Sequence, residues 1–267
     1  MKLPGIPFIP RWVVLCVFIS ILDITFCFSQ NDSITDHDIT SQIWIDLKPS
    51  WKLSERTTLN THISYRTYQP QTGQNFVTKA EAVYELKDLN LKNLKFDHAF
   101  TGGLSYFLID NFNDSNAFEY RVHQGYKLSF HPTRRTQVKQ YLRLEERFTN
   151  LFRDNSSFGL RLRYRIRGII NLEGLIFSGQ KGFYIPADVE FFFNIKKSKQ
   201  INDVIRVSPG IGYVIDPSFK VQFNIGYRYT KQEFDELIRT NDIIFQLRVY
   251  KTFPLKRVNE IHPMETD

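Results

Sequence analysis

The sequence predicts an all-β protein, a single antiparallel up-and-down transmembrane β-barrel of about 12 strands, with 10 as the fallback, preceded by a signal peptide. Three observations carry this. Long runs alternate between apolar and polar side chains, the first 29 residues have the order of a secretory signal, and no later apolar run approaches the length of a spanning helix. A membrane protein without such helices crosses with strands.

The signal is read first. Lys2 and Arg11 accompany an apolar run from Trp12 through Ile19 to Phe26, which ends in Cys27-Phe28-Ser29 before Gln30. This basic, apolar, small-residue order predicts export and cleavage after Ser29. Pro4, Pro7, Pro10 and Asp23 interrupt the ~20 apolar residues that a helical anchor needs. A lipidated cysteine follows a small residue, but Leu15 precedes Cys16 and Phe26 precedes Cys27. Both cysteines therefore leave with residues 1–29, and the barrel domain, residues 30–253, has no thiol for a disulfide, a nucleophile or a metal. Removing Lys2, Arg11 and Asp23 takes 35 basic and 28 acidic residues to 33 and 27, a surplus of six. That surplus is modest, so its pattern matters more than its size. Residues 254–267 form a C-terminal tail.

The strands follow from strict alternation, because successive side chains of a strand point to opposite faces. From 220 to 230, Val221, Phe223, Ile225, Tyr227 and Tyr229 alternate with Gln222, Asn224, Gly226, Arg228 and Thr230. From 158 to 168, Phe158, Leu160, Leu162, Tyr164 and Ile166 alternate with Gly159, Arg161, Arg163, Arg165 and Arg167, and 243–249 repeats the pattern. Less regular runs occupy 39–53, 57–68, 76–86, 96–108, 117–130, 135–149, 187–195 and 203–215, separated by polar, Gly- or Pro-containing turns. That makes 11 runs, while single-chain bacterial barrels have even counts, so a further strand is expected within Glu173–Pro186.

A water-soluble barrel or sandwich would alternate as well, with its apolar face turned inward. Strands of 10 or more residues suit a tilted crossing of a bilayer. Trp44, Trp51, Tyr65, Tyr68, Tyr106, Tyr213, Tyr227, Tyr229 and Tyr250 lie toward strand ends and suit aromatic girdles at the headgroups. With an export signal, these features favour the membrane form, with outer-membrane lipid and the barrel assembly machinery as partners.

The most distinctive local pattern joins Arg143, Glu145 and Arg147 to Arg161, Arg163, Arg165 and Arg167. In a hairpin all seven share one polar face, where a carboxylate accepts charge-assisted bonds from several guanidiniums. By parity Glu119, Arg121, Glu190, Arg206, Arg228 and Arg248 point to the same lumen. The network is read as filling and stiffening a charged interior, or as a cationic lining that passes small anionic solutes. A nucleic-acid site is disfavoured, because a closed exported barrel hides the stripe.

The primary reading is therefore a non-enzymatic outer-membrane barrel, a narrow anion-preferring channel or a structural and binding barrel, with no cofactor. A membrane-embedded lipid-modifying enzyme and a soluble periplasmic ligand-binding barrel stand as alternatives. His62 and Ser64 share a strand face and His98 and His123 sit on other strands, but no spacing assembles a nucleophile, base and orienting acid. Glu145 and Glu190 among arginines stay ionised, which disfavours a general acid. Thr101-Gly102-Gly103 lies within a strand and reads as a kink or bulge rather than a phosphate loop.

Several motifs in order, Trp44, Glu119-Tyr120-Arg121-Val122-His123-Gln124, Leu144-Glu145-Glu146-Arg147-Phe148, Arg163-Tyr164-Arg165, Glu190-Phe191-Phe192-Phe193-Asn194 and Gly226-Tyr227-Arg228, resemble a bacterial family of exported barrels, domain of unknown function 2490. The resemblance covers about residues 40 to 253. It implies a barrel and an outer-membrane location, and no substrate or catalytic residue. The chain departs from a common barrel ending, since Leu255 to Asp267 extend past Phe253.

Overall fold

A computed structural model describes residues 39–69, 73–91, 94–111, 117–151, 156–174, 181–196, 203–231 and 239–254, so the expected signal peptide and nearly all of the C-terminal tail lie outside the described residues. Every regular element is a strand: β1 (Ile39–Lys52), β2 (Thr57–Gln69), β3 (Gly73–Glu85), β4 (Leu89–Leu91), β5 (Leu94–Asn111), β6 (Ala117–Thr133), β7 (Thr136–Leu151), β8 (Ser157–Asn171), β9 (Gly182–Lys196), β10 (Asp203–Asp216), β11 (Phe219–Lys231) and β12 (Arg239–Phe253). Each of the eleven alternating runs becomes one strand. The twelfth is the short β4, which pairs with the start of β5. The described residues within 173–186 form no separate strand; β9 simply begins at Gly182, ahead of the legible alternation, because Gly182 and Pro186 break the pattern there.

Hydrogen-bonded neighbours run β3-β2-β1-β12-β11-β10-β9-β8-β7-β6-β5, and pairing of β3 with β5 closes the wall at eleven strands. All pairs are antiparallel except β1 with β12, which run parallel from Ile39 opposite Asn241 to Trp51 opposite Phe253. The even count expected from the sequence thus does not describe the wall. An odd number of alternating strands brings the first and last together pointing the same way, and a parallel seam is then the closure available. Side chains reinforce it. Gln42 donates to Asp242 at 3.1 Å, Gln246 donates to Asp46 at 2.6 Å, and Trp51 stacks on Phe253 at 5.4 Å.

Registered partners followed round the wall from Phe253 through Trp51, Leu59, Ala82, Gly102, Gln124, Leu144, Leu162 and Phe193, then with the Phe192–Val204 register continued by one residue to Asp203, and on to Lys231 and Arg239, return to β12 fourteen residues from the start. With ~3.3 Å per residue and ~4.8 Å between strands, this stagger gives a tilt of about 41° and a backbone diameter of about 23 Å.

Polarity is the reverse of that in a water-soluble protein. Ile43, Ile45, Leu47, Phe100, Leu104, Phe193, Ile195 and Tyr227 stand exposed on the outer face, whereas Gln42, Asp46, Glu81, Glu119, Glu145, Glu190 and Asn224 are at most 4% exposed within the barrel. Outer aromatics gather toward the two rims. Tyr106–Tyr120 (5.0 Å) and Phe148–Phe158 (5.0 Å) form one group. Phe96–Phe130 (5.2 Å), Phe183–Tyr213 (4.7 Å) and Trp51–Phe253 form the other. Trp44 and, by parity, Tyr68 and Tyr250 depart from the girdle expected of them and turn into the lumen; strand parity, not residue type, sets the face.

Inside, small residues face large ones. A Cβ on Gly212 would lie 2.1 Å from the Tyr184 ring, and one on Gly125 would lie 2.7 Å from the Tyr141 ring. Overpacking of this kind costs about 1–3 kcal/mol, so Gly212→Ala is expected to lower the unfolding midpoint of the detergent-solubilised barrel, followed by circular dichroism. Gly103 has a related role. Its register with Glu81 and His123 is continuous, which corrects the expectation of a kink or bulge; a Cβ there would meet Ala80 O at 2.3 Å and His123 at 2.9 Å.

Candidate functional site

The site is the lumen itself, and register explains how its charges meet. In the β7–β8 pair, Arg143 faces Arg163, Glu145 faces Arg161 and Tyr141 faces Arg165. All thirteen residues assigned to the lumen from parity are buried or half-buried on the inner face. Glu145, 1% exposed, accepts from Arg161 Nε at 2.9 Å, pairs closely with Arg143, and has Arg121 and Arg163 each 3.9 Å away.

The expectation that six cations crowd one carboxylate is corrected by the neighbouring strands, which supply further acids. Glu119 on β6 accepts from Arg121 at 2.8 and 3.0 Å and from Arg147 at 3.0 Å. Glu190 on β9 binds Arg163 and Arg206 closely, with Arg165 at 3.7 Å. Asp188 takes a two-pronged bond from Arg167, 2.6 and 2.7 Å, and one from Arg248 at 3.3 Å. Arg228 donates to Asp242 at 2.5 Å. Burial raises the cost of each lone charge, and reciprocal pairing offsets it.

A second cluster escaped the sequence reading. Glu81 on β3 accepts from Lys79 (2.7 Å), Lys127 (2.5 Å) and Tyr141 (2.7 Å), with His123 Nε2 at 3.2 Å. Asp46 accepts from Gln246 at 2.6 Å and has His62 Nε2 at 3.1 Å and Lys48 at 3.7 Å close by. Parity alone could have placed Lys79 and Glu81 together, but the alternation of β3 is too uneven to draw attention to them. Inner aromatic rings carry more of the cationic surface: Arg121 lies 3.6 Å over Phe107, Arg66 lies 4.0 Å over Trp44, and Arg161 and Arg163 lie 4.9 and 4.8 Å from Phe192.

These side chains surround a cavity of about 430 Å³. Its wall includes fourteen lysines and arginines and four carboxylates. The residues considered for hydrolysis do not converge. Ser64 Oγ accepts from Arg66 Nε at 3.1 Å, and His98 lies on the outer face between Lys87 O (2.7 Å) and Tyr126 Oη (2.8 Å). Glu145 and Glu190 are bridged by Arg163 rather than paired as acids. Among the described residues no group of His, Cys, Asp and Glu is arranged to hold a metal.

A family model described as Protein of unknown function (DUF2490) matches residues 41–238. No curated protein and no solved structure matches the chain.

Proposed function

This chain belongs to the DUF2490 family of proteins of unknown function, and from that starting point we propose that it is a non-enzymatic outer-membrane barrel whose narrow, arginine-rich lumen takes up small anionic solutes. The observation that carries the reading is the inverted polarity. An apolar outer wall is stable against lipid, and the shortest wall strands, of 13 residues, exceed the ~9–11 that a tilted transmembrane strand needs. Rim aromatics suit the headgroup levels. In a soluble barrel the same outer wall would meet water as one extended apolar surface, which such proteins avoid. Export by the N-terminal signal, insertion by the barrel assembly machinery and contact with outer-membrane lipid belong to the same proposal.

The excess of cations over carboxylates around the cavity supports anions over cations as the solute. Planar bilayers separating unequal potassium chloride solutions test this. Wild-type protein should give small currents with a reversal potential on the chloride side, and Arg163→Glu should reduce or reverse that preference. A clear cation preference of the wild type would overturn the proposal.

A further inference from the structure

The lining of the cavity is lopsided along the barrel axis. Three tight turns, 53–56, 134–135 and 217–218, lie at one end, here the hairpin rim. On that side the cavity reaches Ser50, Lys220 and Thr252, close to the strand ends. Toward the other end it stops short of a layer of tied side chains. There Glu119 holds Arg121 and Arg147, while Asp242 holds Gln42 and Arg228. Glu119, Arg147, Gln42 and Asp242 do not line it.

We propose that the lumen is a chamber entered from the hairpin rim, and that its ligand is a small oxoanion carrying two or more negative charges. This rests on the barrel reading above and deepens it by naming the ligand class and the side of entry. Lysines mark the mouth. Lys48, Lys127 and Lys220 line the cavity from β1, β6 and β11, and Lys139 of β7, on the inner parity, stands in register with Arg167 of β8, which also lines it. Lysine is a mobile point charge, whereas the arginines deeper in the barrel are held in fixed forks. The first arrangement gathers anions and the second orients them.

Binding capacity remains inside. Arg165 Nη1 lies 3.7 Å from Glu190, beyond a hydrogen bond. Arg143, 7% exposed, has an Nε with no hydrogen-bond partner among the described residues. Lining cations outnumber lining carboxylates by ten, and Glu119, Asp188 and Asp242 behind them offset only part of that surplus; its spread over several strands suits a ligand with more than one anionic group. A cavity of about 430 Å³ lies within the ~300–1,000 Å³ of small-molecule sites.

Isothermal titration of the full-length detergent-solubilised protein with inorganic pyrophosphate, in buffer free of other multivalent anions, tests this. Wild-type protein should bind, more weakly as salt is raised. Lys139→Gln with Lys220→Gln should weaken binding at least tenfold, as should Arg165→Gln, which serves if the double variant does not fold. Lys95→Gln, outside the cavity, should bind as wild type does. Absence of wild-type binding, or undiminished, wild-type affinity in both the mouth and the Arg165 variants, would overturn the inference. Binding of phosphatidic acid vesicles without binding of pyrophosphate would also overturn it, in favour of a lipid headgroup. The reversal potential is read separately: anion preference without pyrophosphate binding removes this inference alone, and cation preference removes the barrel reading beneath it.

Discussion

Replacing Leu104 with arginine should leave most of the protein unfolded or unassembled, whereas Asn60→Arg should assemble nearly as the wild type does. Leu104 lies mid-strand on the outer face of β5 and is 63% exposed. Against lipid, an arginine at that depth loses its hydration and finds no partner, at a cost of about 2–4 kcal/mol at the bilayer midplane. Asn60 instead lines the cavity, where an added guanidinium can hydrate. The readout is the fraction of heat-modifiable, folded barrel in purified outer membranes. Equal assembly of the two variants would count against a lipid-facing wall. The control position matters: Gln222 and Gln246 also face inward, but Gln222 donates to Asn224 at 2.5 Å and Gln246 to Asp46, so arginine at either would break a buried hydrogen bond.

Glu145→Gln is expected to give the second large effect, a marked fall in the thermal midpoint of the solubilised barrel. The carboxylate is almost fully buried and pairs with Arg143 and Arg161 while Arg121 and Arg163 stand close by. Glutamine keeps the shape and removes the charge, leaving like charges facing one another with little water to screen them. Breaking one partner of a buried pair costs about 3–5 kcal/mol. Glu146→Gln, one residue on and facing the other way, should change the midpoint little. Circular dichroism melts of the three proteins decide the matter, and an unchanged midpoint for Glu145→Gln would remove Glu145 from its organising role.

The legible part of this molecule was what period two encodes. Alternation located eleven strands, since a strand's parity is local. Three kinds of information were not local. The face of Trp44 could not be inferred from its being a tryptophan near a strand end. Which acid serves which arginine depends on the fourteen-residue stagger, which brings Asp188 and Glu190 on β9 to arginines of β8, β10 and β12. The number of wall strands depends on whether β1 and β12 meet head to head or head to tail, and nothing within either strand states that.

The parallel seam also settles how the chain enters and leaves. Because β1 and β12 climb the wall in the same direction, Ile39 starts at one rim and Phe253 finishes at the other. An even-numbered barrel returns both ends of its chain to one compartment. Here Ile39 and Phe253 stand at opposite rims, so in the proposed membrane setting reporters fused at the two ends are expected to sample two different solutions.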